Sequence, residues 1–150
     1  MIVAVGTDHA GFALKPAAVE AIRNAGHEIV DCGAFEIDPG DDYPDFAERV
    51  ARTIAEGRAS RGILLCGSGV GASVAANKFR GIRSALCHDT FSARQGVEDD
   101  DMNVLALGAR VIGPALAGEL TRAFLAAEFS RAERHRRRLA KIARFEKDAR

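Results

Sequence analysis

A cysteine set among glycines is the first stretch of this chain that suggests chemistry: Leu64-Leu65-Cys66-Gly67-Ser68-Gly69-Val70-Gly71-Ala72. The apolar run before it ends a strand, and Val70 to about Phe79 has helical character. The thiol therefore sits at a strand-to-helix turn, where unpaired N–H groups favour negative charge. Glycines let the backbone approach an anion closely. Such a turn can hold an oxyanion or a phosphate, and it can also stabilise a thiolate. The plainer alternative is a tight turn around a small buried cysteine. Asp8 and His9 follow another apolar run, and with Cys66 they offer the groups that a thiol nucleophile and its base require.

The competing chemistries fit less well. Gly67-x-Gly69-x-Gly71 follows the third strand, whereas a dinucleotide fingerprint opens at the first, so no nicotinamide cofactor is expected. His9, His88, Cys66 and Asp8 lack close ligand spacing, so no metal is expected either. In the tail, Arg134 and Arg138 are four apart and share a helical face, where two guanidiniums can clamp a phosphate. Leu139, Ile142 and Phe145 give the same segment an apolar surface for packing. A salt-bridged surface helix and a nucleic-acid helix are the alternatives, the latter without a supporting aromatic module.

These groups need a scaffold. Ile2–Val5, Glu28–Cys32, Gly62–Cys66, Ile82–Cys87 and Val104–Leu107 read as five strands. Between and after them, helical spacing covers Phe12–Asn24, Phe46–Ile54, Val70–Phe79, a short Phe91–Val97 and Pro114–Ala127. Glu98 to Asp101 is a run of four acids that repel one another in isolation. Strands alternating with helices predict a three-layer, Rossmann-like α/β fold. Its five-stranded sheet is mostly parallel, with polar groups gathered beyond the carboxyl strand ends. Residues 1–150 form one domain, and 130–150 form a basic C-terminal interface helix.

Composition agrees. The chain has 150 residues, of which 47% are hydrophobic and 28% charged, which suits one full core and excludes a disordered chain. The formal charge of zero hides an asymmetry: residues 131–150 carry nine basic and three acidic side chains, a net +6. Three cysteines make no paired framework, and Cys32 and Cys87 belong to the core. No run reaches membrane-spanning length and no secretory segment is visible, so a cytoplasmic protein without membrane or nucleic-acid partners is expected.

The chain resembles the ribose-5-phosphate isomerase B family, which includes bacterial galactose-6-phosphate isomerase subunits. The resemblance is carried by Gly6-Thr7-Asp8-His9-Ala10-Gly11-Phe12, Cys66-Gly67-Ser68-Gly69-Val70-Gly71 and Ala75-Ala76-Asn77-Lys78-Phe79-Arg80-Gly81-Ile82-Arg83. It continues through Asn103-Val104-Leu105-Ala106-Leu107-Gly108-Ala109-Arg110 and Glu133-Arg134-His135-Arg136-Arg137-Arg138. It implies a cofactor-independent aldose–ketose isomerase of phosphorylated sugars, acting through an enediolate with Cys66 as base. It further implies that Ser68 and the amides of Gly67, Gly69, Val70 and Gly71 receive oxygen charge, and that Asp8 handles sugar hydroxyls. His9, Arg110, Arg134 and Arg138 would then hold phosphate or ring oxygen, with Asp42 and Tyr43 near the sugar. A homodimer with shared sites is implied as well.

One stretch departs from the pattern. Family members have His-Asn where this chain has Asp99-Asp100, although Asp101 and Asn103 match. Asp99 thus stands at the ring-opening position, with a reference pKa of about 3.9 against about 6.5 for histidine. Ribose 5-phosphate to ribulose 5-phosphate is the first substrate expectation. A tetrose 4-phosphate, which closes no comparable furanose, is the second. A non-catalytic sugar-phosphate-binding protein is the rival from another class.

Overall fold

Apolar β-rich runs build the sheet in the computed structural model, which describes residues 1–148. Its strands are β1 (Ile2–Thr7), β2 (Glu28–Asp31), β3 (Arg61–Cys66), β4 (Ser84–Leu86) and β5 (Val104–Gly108). They lie in the order β2-β1-β3-β5-β4, and every pair is parallel. The helices are α1 (Lys15–Asn24), α2 (Tyr43–Ala55), α3 (Val70–Ala76), α4 (Thr90–Asp100), α5 (Pro114–Ala126) and α6 (Glu133–Asp148). The last two residues of the expected basic helix lie outside the described residues.

Alternate strand residues supply two cores, as the strand period of two demands. Val3, Val5, Ile63, Leu65, Leu105 and Leu107 pack against α1, α4 and α5. Ala4, Leu64, Val104 and Ala106 pack against α2 and α3. Each fully buried leucine or valine contributes about 1.5–3 kcal/mol relative to exposure. The result is the three-layer arrangement expected from the alternation of elements.

The structure corrects several element boundaries. The fourth strand is shorter than Ile82–Cys87 because other groups take its first backbone donors. Ile82 N–H pairs with the Phe79 carbonyl, and Arg83 N–H with Asn103 Oδ1 at 2.8 Å. Helix α3 stops at Ala76, where Lys78 and Phe79 donate to carbonyls three residues back. Phe12–Leu14 forms a 3₁₀ turn ahead of α1. Helix α4 runs on to Asp100 because its acids acquire partners: Arg94 to Glu98, Gln95 to Asp99, and Arg83 to Asp101.

Register fixes two edges. Cys66 stands beside Gly108, and Gly62 beside Val104. At the carboxyl edge, β1 leads into Asp8 and His9, β3 ends in Cys66, and β5 leads into Arg110. At the amino edge lie the residues that lead directly into β5, including Asp99, Asp100 and Asn103. Helix α5 starts after β5 and returns to that amino edge, where the guanidinium of Arg61 donates to the carbonyls of Leu125 and Ala127. Helix α6 therefore starts at the amino edge too, with Ser130 N–H on the Glu98 carbonyl at 2.9 Å.

Gly11 locks the carboxyl edge. A Cβ there would lie 2.3 Å from the Leu65 carbonyl carbon and 2.5 Å from Cys66 N. Both are backbone atoms with little room to yield. Gly11→Ala should therefore lower stability by about 1–3 kcal/mol, read as a shift in the denaturant midpoint at unchanged slope.

Candidate active site

Sequence order brings Asp8, His9, Cys66 and Arg110 to one edge because each lies at or just beyond the carboxyl end of a strand. β1 and β3 are neighbours from which the chain departs in opposite directions, the place where parallel sheets hold ligands. The Cys66 thiol is 4% exposed, and its Sγ accepts the Gly69 N–H at 3.0 Å. Gly69 has φ +83°, the left-handed conformation that glycine adopts without strain, and it turns that N–H back onto the sulfur. Ser68 is exposed, with Oγ accepting from Val70 N at 3.3 Å.

Around the thiol lie two acids and two cationic groups. Asp8 is buried, and its Oδ1 accepts the Gly11 N–H at 2.8 Å. Burial pushes its carboxyl above the ordinary range, partly opposed by that hydrogen bond. His9 Nδ1 pairs with Asp41 Oδ1 at 2.6 Å, while His9 N–H donates to both Asp41 oxygens at 3.1 and 3.0 Å. The Asp41 hydrogen bond raises the His9 pKa above its usual value, against opposition from desolvation and Arg110. The imidazolium therefore persists to higher pH. Arg110 N–H donates to the Gly67 carbonyl at 2.9 Å, and its Nε lies 3.5 Å from where a Gly67 Cβ would stand. Tyr43 covers the turn: a Cβ on Gly71 would lie 2.7 Å from its ring. Asp42 is exposed and precedes α2, its side chain making no cap bond.

The other candidate residues sit at the amino edge. Asp99 is half-buried, with Oδ2 accepting from Gln95 Nε2 at 2.7 Å and Oδ1 3.4 Å from His135 Nδ1. Asp100 is exposed. The Asn103 amide is engaged at both ends, on Arg83 N–H and on the Gly81 carbonyl at 2.8 Å each. Arg134 and Arg138 are exposed on α6. Four strand residues separate the Val104 level from the Cys66 level, roughly 13 Å. One chain thus gathers Asp8, His9, Asp42, Tyr43, Cys66, Ser68 and Arg110 in one place and Asp99, Asp100, Asn103, Arg134 and Arg138 in another. A cleft of about 700 Å³ lies at the second edge, under Ile142 and Phe145 of α6, and does not include Cys66.

Asp41 is not legible in the sequence, because nothing in Asp41-Asp42 tells the two acids apart before the loop folds onto His9. Nor are Gln95 and His135, which a helical wheel alone does not bring together. One ligand atom each from Asp8, His9 and Asp41 lies within 4.8 Å of the others. Within this group His9 Nδ1 pairs with Asp41 Oδ1, and Asp8 Oδ1 accepts the Gly11 N–H.

An amide-held thiol, a buried carboxyl and a carboxylate-backed histidine thus share one edge of a Rossmann-like sheet. A family model described as Ribose/Galactose Isomerase matches residues 3–142, and this chain belongs to that family. The chain is 42% identical to ribose-5-phosphate isomerase B of Escherichia coli over 144 residues, 96% of this chain and 95% of the relative. It is 44% identical to D-erythrulose-4-phosphate isomerase of Pectobacterium atrosepticum over 130 residues, 85% of this chain and 84% of the relative. The solved structure of Clostridium thermocellum ribose-5-phosphate isomerase B superposes with a TM-score of 0.95 at 41% identity, covering 100% of both chains. No helix among the described residues is long and apolar enough to cross a membrane.

The His9–Asp41 pair has a pH signature. His9 contributes its charge below its raised pKa and loses it as pH rises through that value. Asp41→Asn removes the main cause of the shift, so the His9 titration should move to lower pH. Following the His9 ring-proton chemical shifts against pH in both proteins checks this.

Proposed function

We propose that this chain interconverts an aldose phosphate and its ketose with Cys66 as the base, without calling on a cofactor. The observation that carries the reading is the Gly69 N–H on Cys66 Sγ at 3.0 Å, because a turn that aims its backbone donors at the strand end can hold enediolate oxygen charge beside the sulfur. In the aldose-to-ketose direction, the Cys66 thiolate takes the C2 proton and returns it at C1. Asp8 moves the hydroxyl proton between the two oxygens, a task suited to a carboxyl raised by burial. Ser68 and the amides of the Gly67–Gly71 turn receive the charge of the enediolate oxygens. His9 and Arg110 attract the phosphate.

We further assign a site shared between two copies. The two groups of residues lie at opposite sheet edges, too far apart for one sugar phosphate to bridge. A second copy that sets its amino edge against the first copy's Cys66 would add Asp99, Asp100, Arg134 and Arg138, with Asn103 bracing the turn behind them. A two-fold pair repeats the arrangement at both sites. The exposed Ile142 and Phe145, at 41% and 63%, supply apolar surface for such a contact.

Ribose 5-phosphate to ribulose 5-phosphate is the first substrate reading, supported by the relatives named above. Asp99 favours a second. Its two oxygens face Gln95 and His135, an arrangement that suits an acceptor better than the acid a furanose needs for opening. A tetrose 4-phosphate, already open-chain, dispenses with that acid. The rival, a sugar-phosphate binder without turnover, would exchange no solvent hydrogen into its ligand.

Cys66→Ser should reduce solvent-deuterium exchange at the substrate carbon by about 10²- to 10⁴-fold with phosphate binding retained. Activity lost to a chelator and restored only by a divalent ion would sink the mechanism. Mixing Cys66→Ser with an Arg134→Ala/Arg138→Ala double variant, each inactive alone, should restore roughly a quarter of wild-type activity through hybrid pairs. No recovery on mixing would count against the shared site.

Four-, five- and six-carbon substrates compared by kcat/KM decide the sugar. If ribose 5-phosphate is turned over slowly, Asp99→His should raise kcat/KM for it and leave the tetrose little changed. No gain with ribose, together with slow reaction of open-chain ribulose, would refute this account of Asp99.

A further inference from the structure

His135 is 1% exposed, the one buried residue of α6, although its neighbours Arg134 and Arg136 face solvent. Its ring has polar neighbours at both nitrogens. Nε2 receives the Arg134 Nε–H at 2.9 Å. Nδ1 lies 2.7 Å from Ser130 Oγ and 3.4 Å from Asp99 Oδ1. A ring whose Nε2 accepts carries its proton on Nδ1, so Nδ1 is the donor toward Ser130 and Asp99. Gln95 fixes the far side of Asp99, and Ala132 N–H reaches Ser130 Oγ at 3.3 Å. An apolar residue would fill the same space without these contacts. The imidazole adds directed bonds between α4 and α6.

We propose that His135 is a positioning residue that ties Asp99 to Arg134, so that the two side chains reach a neighbouring copy's Cys66 edge as one preset unit. The proposal rests on the shared site described above. Arg134 has five N–H donors in a planar fork. With Nε fixed on the imidazole, the two terminal nitrogens are left to face an anion. An arginine already held in place loses less side-chain freedom on binding, and that difference appears as affinity rather than as turnover.

The test uses the full chain with His135→Leu, which fills the space without polar atoms, and His135→Gln, which keeps a donor and an acceptor. The probe is inorganic phosphate in titration calorimetry, alongside kcat and KM on whichever sugar phosphate the wild type converts. His135→Leu should raise the phosphate Kd and the KM together by about tenfold, with kcat within about twofold. His135→Gln should recover most of that loss. A phosphate Kd unchanged in His135→Leu would overturn the proposal, as would equal losses in both variants carried mainly by kcat. Should His135→Leu fail to fold, Ser130→Ala removes the closest Nδ1 partner, and an unchanged phosphate Kd there would equally overturn it. Wild-type protein that binds phosphate but isomerises nothing would sink the isomerase reading alone, since the Kd comparison still decides His135. Wild-type protein that binds no phosphate would sink both.

Discussion

The close approach of Gly11 to the Leu65–Cys66 peptide is the constraint on which the site depends. Because no Cβ intervenes, the connection after β1 lies directly on the end of β3. That contact brings the buried Asp8 carboxyl to the strand end that carries the thiol. The parallel register then places β5 alongside, so that Arg110 can donate to the Gly67 carbonyl. Move Gly11 outward by the width of a methyl group, and Asp8 and His9 draw away from the strand end that carries Cys66.

The electrostatics of that edge follow from how each group is enclosed. Asp8 is pushed toward its neutral form by burial, whereas His9 is pulled toward its cationic form by Asp41. Both shifts are upward, so each of these sequence neighbours keeps its proton to higher pH than it would in water. Cys66 obtains its hydrogen bond from a backbone amide instead of a side chain.

At the other edge, the acids that end α4 are not a repelling run but a set of brackets. Arg94 takes Glu98, Gln95 and His135 share Asp99, and Arg83 takes Asp101, so that α4 runs on to Asp100. The His135–Asp99 contact also ties α6 to α4, with Arg134 and Arg138 of α6 exposed. Stability and presentation are therefore one structural fact there. The departure at Asp99 is accommodated by partners on both of its oxygens.

Much of this was written in the residues themselves. Five apolar runs of strand length, alternating with helical spacing, determine a parallel α/β sheet, because only crossover connections fit between them. The glycines around Cys66 mark the strand-to-helix turn for the same local reason: a φ of +83° at Gly69 needs a residue without a Cβ. Local pattern does not reach further. It could not shorten β4, since the donor of Arg83 is taken by Asn103, 20 residues further along the chain. It could not choose Asp41 over Asp42 as the partner of His9, because that depends on how a loop folds back across 32 residues. Nor could it reveal that Cys66 and Asp99 stand at opposite ends of the sheet. That separation comes from strand order and register, which long-range hydrogen bonds decide and no single segment encodes.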